Sequence, residues 1–303
     1  MYRIKMVFIL LLILTTQIYA HSAKFNSTIT IKSDKEQYYI YEPIFIEFEL
    51  INNDLIGPSI HPSLSLMENF LVVNEKDERF SCNISFEFAE NSIQPLKEKS
   101  LKKNIMLNYH YGLEFPVSLG NHYLPIGRYT ISFKWKESLY DPINSNIITI
   151  DIIEPPVKYK QELELFEKAV NLGELAHNIT KQNEFITLMD ELISKYPQGI
   201  YREYSLYMKT TACLFYSKTL IAKNAGELFI NDYPQSLYPH LAVQAIADYY
   251  IENKMYNEGI EYMNTLKNRN TNPIFIDACK RQIKLINIRE KSARSGDVPQ
   301  EAQ

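Results

Sequence analysis

Two hydrophobic patterns divide the chain. Between residues 24 and 154, apolar and polar side chains alternate, which is typical of β-strands with one buried face. From Lys158 onward, apolar residues recur at intervals of three and four, which is typical of amphipathic helices. Pro155 and Pro156 stand where the pattern changes, and a proline pair ends sheet pairing. The pattern therefore predicts a β-rich region followed by a helical region.

The alternation in the β-rich region predicts a set of short strands. In the clearest one, Ile44, Ile46 and Phe48 face one way while Glu47 and Glu49 face the other. The predicted strands cover residues 28–31, 43–51, 70–73, 80–88, 101–107, 129–135 and 146–153. About seven strands in about 130 residues indicate an antiparallel β-sandwich of immunoglobulin type.

The helical region repeats a short motif. The hexapeptide Tyr-Pro-Gln-Gly-Ile-Tyr at 196–201 returns 37 positions later as Tyr-Pro-Gln-Ser-Leu-Tyr at 233–238, and Pro273 follows at nearly the same interval. Helices are predicted at residues 158–172, 180–195, 200–216, 218–232, 238–253, 256–268 and 273–291. A period near 37 is typical of stacked helical hairpins, in which each pair buries its apolar face against the next one.

The segment at 33–44 resembles the start of bacterial immunoglobulin-like sandwich domains. It carries Asp-Lys, tyrosines and Glu-Pro in the order of that family, with Tyr41 in place of the usual glycine. Pro125, Gly127 and Tyr129 resemble the family's Pro-Gly-x-Tyr pattern before a closing strand. Similar domains occur in alpha-macroglobulin-type proteins and in a bacterial family named for an intracellular proteinase inhibitor. The resemblance implies a fold for this region and leaves its function open.

Residues 241–266 resemble a tetratricopeptide repeat. The residues at its characteristic positions are Val243, Ile246, Ala247, Tyr250, Tyr256, Gly259, Met263 and Leu266. The small Gly259 is expected where the two helices approach closely. With the repeated hexapeptide, residues 180–291 resemble the exported repeat proteins of the outer-membrane assembly lipoprotein family, without their lipid-attachment cysteine. The resemblance implies an α-helical array that binds a peptide or a protein surface on its concave side.

The same alignment predicts a groove on two helices one repeat apart. Its residues are Tyr207, Thr211, Phe215, Gln244, Asp248 and Glu252. Aromatic rings beside two carboxylates suit an extended peptide that carries Lys or Arg, because rings bury apolar groups and acids fix the register. The alternative is a solvated helix face whose tyrosines pack against their neighbours.

The N-terminal residues predict export. Arg3 and Lys5 precede an apolar run at 6–14, which is shorter than the roughly 20 residues of a membrane span, and Ala20 suits a cleavage site. We therefore expect a periplasmic or secreted protein with no transmembrane span after cleavage of the signal peptide. The alternative is a retained signal anchor.

The charge of the chain limits the class of partner, and its cysteine content bears on how the fold is stabilised. Loss of Arg3 and Lys5 changes the formal charge from −4 to −6, and no long basic run occurs, which argues against nucleic acid. We expect a protein or peptide partner from the cell envelope. Three cysteines are too few to staple the fold. Cys213 and Cys279 are either bridged or two buried thiols.

Signals of catalysis are weak. The chain lacks a phosphate-binding glycine loop, a nucleophile elbow and cysteine pairs at zinc spacing. His110 and His122 flank one segment, where a metal or acid–base pair competes with ordinary surface histidines. We expect no catalytic residue, no metal and no cofactor.

These observations favour a non-enzymatic, exported scaffold or adaptor whose helical array binds the partner. In the alternative, the sandwich is the active module and binds a glycan or inhibits a protease. The predicted organisation is a signal peptide at 1–20, an immunoglobulin-like β-sandwich at 22–153, a linker at 154–157, tetratricopeptide-like helices at 158–291 and a disordered tail at 292–303.

Overall fold

The chain forms two compact units. One ends at Ile153 and the other begins at Glu154. The computed structural model describes residues 27–52, 70–80, 83–86, 100–108, 124–135, 143–173 and 179–295. The predicted signal peptide, Cys82, His110, His122 and residues 296–303 lie outside this described part.

The first unit consists of β-strands. They are β1 (Ser27–Ser33), β2 (Gln37–Tyr39), β3 (Ile44–Asn52), β4 (Phe70–Asn74), β5 (Arg79–Phe80), β6 (Asn83–Phe86), β7 (Ser100–Asn108), β8 (Gly127–Trp135), β9 (Ile143–Asn144) and β10 (Ile148–Ile153). Every predicted strand region contains a strand, and the region at 80–88 overlaps two, β5 and β6. The alternation does not predict β2 or β9, because so few residues show no period.

The strands form two sheets that share one core. One sheet has the order β1-β3-β7-β6, and the other has the order β2-β10-β8-β4-β5 with β9 paired to β8. The buried side chains of β1 and β3 belong to the same hydrophobic cluster as those of β4, β8 and β10. Phe48 of β3 meets Phe133 of β8 edge to face, with ring centroids 5.0 Å apart. The aromatic pair therefore joins the two sheets.

The turn between β2 and β3 explains the unusual Tyr41. The backbone N–H of Glu42 donates to the carbonyl of Tyr39 at 2.9 Å, and Tyr41 between them has φ 68°. Residues with a side chain rarely adopt this left-handed conformation, whereas glycine adopts it without cost. Tyr41 therefore occupies a turn position at which glycine would be the least strained residue.

The second unit is helical. After a 3-10 turn at Val157–Tyr159, its helices are α1 (Lys160–Gly173), α2 (Ile179–Lys195), α3 (Arg202–Phe215), α4 (Thr219–Asp232), α5 (His240–Glu252), α6 (Tyr256–Arg269) and α7 (Pro273–Ser295). The predicted β-then-α layout is confirmed, and each predicted helix is present. The last helix continues to Ser295, past the predicted end at 291.

Each helix packs on the next one in the chain, and α5 also packs on α3 and on α7. Gly259 lies at one such contact, where an added Cβ would be 2.8 Å from the Cβ of Tyr250. The close helix approach predicted at Gly259 is therefore present. At Gly226 an added Cβ would be 2.8 Å from the carbonyl oxygen of Ala242, which the sequence alone does not predict.

The backbone of the second unit recurs at the interval of the sequence motif. Ser217 and Lys254, 37 positions apart, are both left-handed, with φ 52° and 56°. Four N–H to C=O hydrogen bonds around Ser217 return around Lys254. In the α3–α4 turn, the bonds run from Tyr216 to Ala212, Ser217 to Leu214, Lys218 to Cys213 and Ala222 to Lys218. In the α5–α6 turn, the corresponding bonds run from Asn253 to Tyr249, Lys254 to Ile251, Met255 to Tyr250 and Gly259 to Met255. All eight N···O distances lie between 2.8 and 3.2 Å. The α3–α4 and α5–α6 turns are therefore equivalent.

Candidate functional site

The register of the recurring pattern extends to α7. Tyr201, Tyr238 and Phe275 follow each other at intervals of 37 and are 1, 5 and 1% exposed. Helices α3, α5 and α7 therefore present equivalent positions side by side, because α5 packs against both of the others.

The 37-residue register places three rows of side chains on the C-terminal halves of these adjacent helices, and we call these rows the open face. Its first row contains Phe215, Glu252 and Arg289, all exposed. The other two rows are Leu214, Ile251 and Ile288, then Thr211, Asp248 and Leu285. Phe215 and Ile288 are 55 and 50% exposed. These two apolar side chains lie on the outer helices α3 and α7, with the charged residues of α5 between them.

Five of the six residues predicted for the groove lie on the same helix face or next to it. Phe215 and Glu252 are exposed, while Thr211, Gln244 and Asp248 are half-buried. The hydroxyl of Thr211 donates to the carbonyl of Tyr207 at 2.9 Å, within its own helix. The remaining prediction, Tyr207, belongs to the packed interior.

Tyr207 is 5% exposed. Its ring stacks on Tyr204 with centroids 5.9 Å apart and meets the edge of Tyr238 at 5.0 Å. Tyr238 is the last residue of the repeated hexapeptide, and it fills the space in front of Tyr207. Tyr207 is therefore covered by the aromatic ring of Tyr238, whereas Phe215, two turns later on the same helix, is exposed.

The aromatic packing continues toward α1. Phe166 stacks on Tyr201 at 4.7 Å and lies 5.9 Å from Tyr204. Tyr238 also contacts Phe229 at 5.5 Å. Many of the tyrosines in this unit therefore fill the interior, and their abundance is not evidence for a ligand.

Asp248 is the half-buried carboxylate of the open face. Burial raises the pKa of its carboxyl above the ordinary value, and the neighbouring Glu252 raises it further. The amide of Gln244, which donates to Asp248 at 3.3 Å, and the charge of Arg289 lower the pKa but do not cancel these effects. A cation placed beside Asp248 and Glu252 would therefore be favoured, since it relieves the repulsion between them.

Arg289 belongs to this face although it was not among the predicted residues. It lies 37 positions after Glu252, and its charge acts on Asp248. Arg281 occupies the position of Gln244 on α7, but its guanidinium is 3.7 Å from the carboxylate of Asp277. The sequence identifies Arg289 when the 37-residue register is extended from α5 to α7.

Among the described residues, no cluster of histidine, cysteine, aspartate and glutamate suits a metal ion. Cys213 and Cys279 are two buried thiols rather than a bridge. Burial raises the pKa of the Cys213 thiol to about 11 and that of Cys279 to about 12, so both stay protonated and unreactive at neutral pH. None of the helices that the structure describes is both long and apolar enough for a membrane span.

No protein-family model and no curated protein sequence matches the chain. The candidate functional site of the helical unit is the open face, which combines exposed apolar side chains with charges of both signs.

Proposed function

We propose that this protein is an exported, non-enzymatic scaffold or adaptor whose helical unit binds an extended peptide segment of an envelope protein. The helical unit is a tetratricopeptide-like array, and the β-unit is an immunoglobulin-like sandwich. Export is supported by Arg3, Lys5 and the apolar run at 6–14. The observation that carries the proposal is the return of the α3–α4 turn, with all four of its hydrogen bonds, in the α5–α6 turn.

The sandwich assignment is supported by a tyrosine at the start of β8. The hydroxyl of Tyr129 donates to the carbonyl of Pro125 at 2.7 Å. A tyrosine that bonds to the backbone a few residues upstream is a recurrent feature of immunoglobulin-like domains. The shared core of the two sheets and the turn at Tyr41 agree with this assignment.

The array assignment is supported by the order of helix contacts. Consecutive helices pack as hairpins, and alternate helices α3, α5 and α7 also touch. In stacked hairpins this arrangement lines up one face of each alternate helix, and such aligned faces serve as extended binding surfaces. The open face of this chain is that surface.

The chemistry of the open face suits a peptide with a Lys or Arg residue. Asp248 and Glu252 repel each other, and a ligand cation would relieve that repulsion. Phe215 and Ile288 offer apolar area on either side of the acids. Apolar contacts would supply most of the binding free energy, while the charges would fix the register of the peptide.

Binding of peptides to the full-length protein tests this proposal. A peptide array with lysine or arginine beside apolar residues would identify a binding sequence. We expect Phe215→Ala to weaken its binding by about 1 to 2 kcal/mol, as truncation of a central aromatic anchor does. Leu220→Ala is the matched control, because Leu220 has the same 55% exposure but lies on α4. An equal effect of the two substitutions would refute the proposed site.

Reversal of the charge at Glu252 provides a second test of the proposed site. Glu252→Lys should abolish the preference for basic peptides, while Glu261→Lys should preserve it. Glu261 is also exposed but lies on α6, outside the open face. If no peptide binds the protein at all, the helical unit is not a peptide receptor and the alternative role of the β-unit becomes the better proposal.

A further inference from the structure

The chemical character of the side chains on the open face changes from α3 to α5 to α7. In its first row, α3 contributes the apolar ring of Phe215, α5 the carboxylate of Glu252 and α7 the guanidinium of Arg289. Asp248 adds a second acid on α5. The sequence from α3 to α7 is therefore apolar, acidic and basic.

The two charges of the first row are available to a partner. Within the described part of the chain, neither Glu252 nor Arg289 has an opposite charge within salt-bridge distance. Arg281 differs in this respect, because it lies 3.7 Å from Asp277. Arg289 is therefore the cation that α7 offers to a ligand.

The distance between packed helices sets the spacing of the peptide residues that would contact them. Packed helices lie about 8 to 10 Å apart. An extended chain advances about 3.3 Å per residue. Each step from one helix to the next therefore corresponds to about three residues of a peptide that crosses them.

We propose that the ligand is an extended peptide with three anchor residues about three positions apart: an apolar residue for α3, a Lys or Arg for α5 and an Asp or Glu for α7. This inference rests on the proposed function and specifies its ligand. The basic anchor stands between the other two in either chain direction. A peptide of the same composition with the acidic residue in the middle places like charges opposite each other on both α5 and α7.

Fluorescence anisotropy with labelled peptides and the full-length protein tests the order. One pair carries Leu, Lys and Glu anchors three positions apart with lysine in the middle, one peptide for each chain direction. The second pair has the same composition with glutamate in the middle. We expect at least one lysine-central peptide to bind about tenfold more tightly than either glutamate-central peptide, because the exchange converts two attractive charge pairs into two repulsive ones.

A double charge exchange completes the test. Glu252→Arg with Arg289→Glu should reverse the preference toward the glutamate-central order, because α5 then presents a guanidinium and α7 a carboxylate. Glu261→Arg with Lys280→Glu makes the same kind of exchange at exposed positions outside the open face, also with no change in net charge, and should keep the preference.

The outcomes separate the two proposals. Equal affinity for both orders, tighter binding of the glutamate-central peptides, or a preference that survives the exchange at Glu252 and Arg289 would overturn the inferred order while peptide binding itself stands. Absence of measurable binding for every peptide would overturn the proposed function and the inference together.

Discussion

The carboxylate of Glu162 on α1 accepts a hydrogen bond from the backbone N–H of Tyr201 at 2.8 Å, at the residue before α3 begins. The N–H of Ile200 donates to the same carboxylate at 3.3 Å. Both donors lie in the turn that leads directly into α3. The side chain of Glu162 therefore ties α1 to the chain at the start of α3, and Glu162 is only 1% exposed.

This contact predicts a pH dependence of stability. Burial raises the pKa of Glu162 above its ordinary value of 4.5, and the two N–H donors lower it less than burial raises it. Above pH 4.5 the folded chain then holds more protons than the unfolded chain, so its stability falls as pH rises through the folded-state pKa. We expect Glu162→Gln to flatten this fall, measured by urea unfolding at a series of pH values.

The control for Glu162 is Glu164→Gln, at an exposed position of the same helix. It should leave the pH dependence unchanged. A Glu162→Gln protein whose stability falls with pH as steeply as the original would contradict the assignment.

The left-handed turn residues predict a gain of stability. Lys254 is exposed and has φ 56°. Because glycine adopts this conformation without steric cost, Lys254→Gly should raise the free energy of unfolding by about 0.5 to 1 kcal/mol. Thermal and urea unfolding measure the change. Asn253→Gly, one residue earlier at φ −83°, should instead lower stability, and a gain there would contradict the explanation.

A larger side chain at position 259, in place of Gly259, is expected to lower the stability of the protein. An added methyl group would lie 2.8 Å from the Cβ of Tyr250 and 3.3 Å from Cδ1 of Ile286. Since Cβ atoms move only with the backbone, Gly259→Ala should force α5 and α6 apart and cost about 1 to 3 kcal/mol. Asn257→Ala, at an exposed position of the same helix, should change stability by no more than about 0.5 kcal/mol. Equal effects on urea unfolding would rule out the close contact.

Apolar substitutions on the outer face of α7 are expected to increase self-association of the protein. Lys280 and Lys284 stand 37 positions after Val243 and Ala247, which are fully buried. Helix α7 is the last helix that the structure describes, and a polar outer face on a terminal helix keeps an array from stacking on other molecules. Lys280→Val combined with Lys284→Ala should therefore increase self-association in analytical ultracentrifugation. The same pair of changes at exposed Lys291 and Arg294, to Val and Ala, is the comparison at the helix end. Monomeric behaviour of the first variant at all concentrations would contradict this role.

The hydrophobic period was sufficient to predict the β-then-α layout and most of its strands and helices. The helices of the second unit have a long apolar stripe and a proline or glycine near their ends, so their limits were visible in sequence. The short β2 and β9 have no such period, and they form because β10 and β8 offer them a pairing edge. Their existence depends on residues far away in the chain.

The candidate site was predictable only in part. The 37-residue period correctly aligned Phe215 with Glu252, but it gave no information on burial. Tyr207 shares a helix face with Phe215, yet the ring of Tyr238 covers it from the next junction. That contact arises between elements and leaves no periodic signal. Arg289 was missed because α7 was not aligned with the two earlier helices.

Hydrogen–deuterium exchange of the full-length protein, with and without the tightest-binding peptide, tests the central claim most directly. The claim is that the open face of the helical unit is the binding surface. We predict slower exchange on peptide binding in the C-terminal halves of α3, α5 and α7, with unchanged exchange in β1–β10. Slower exchange confined to the β-strands would contradict the claim and make the first unit the binding module.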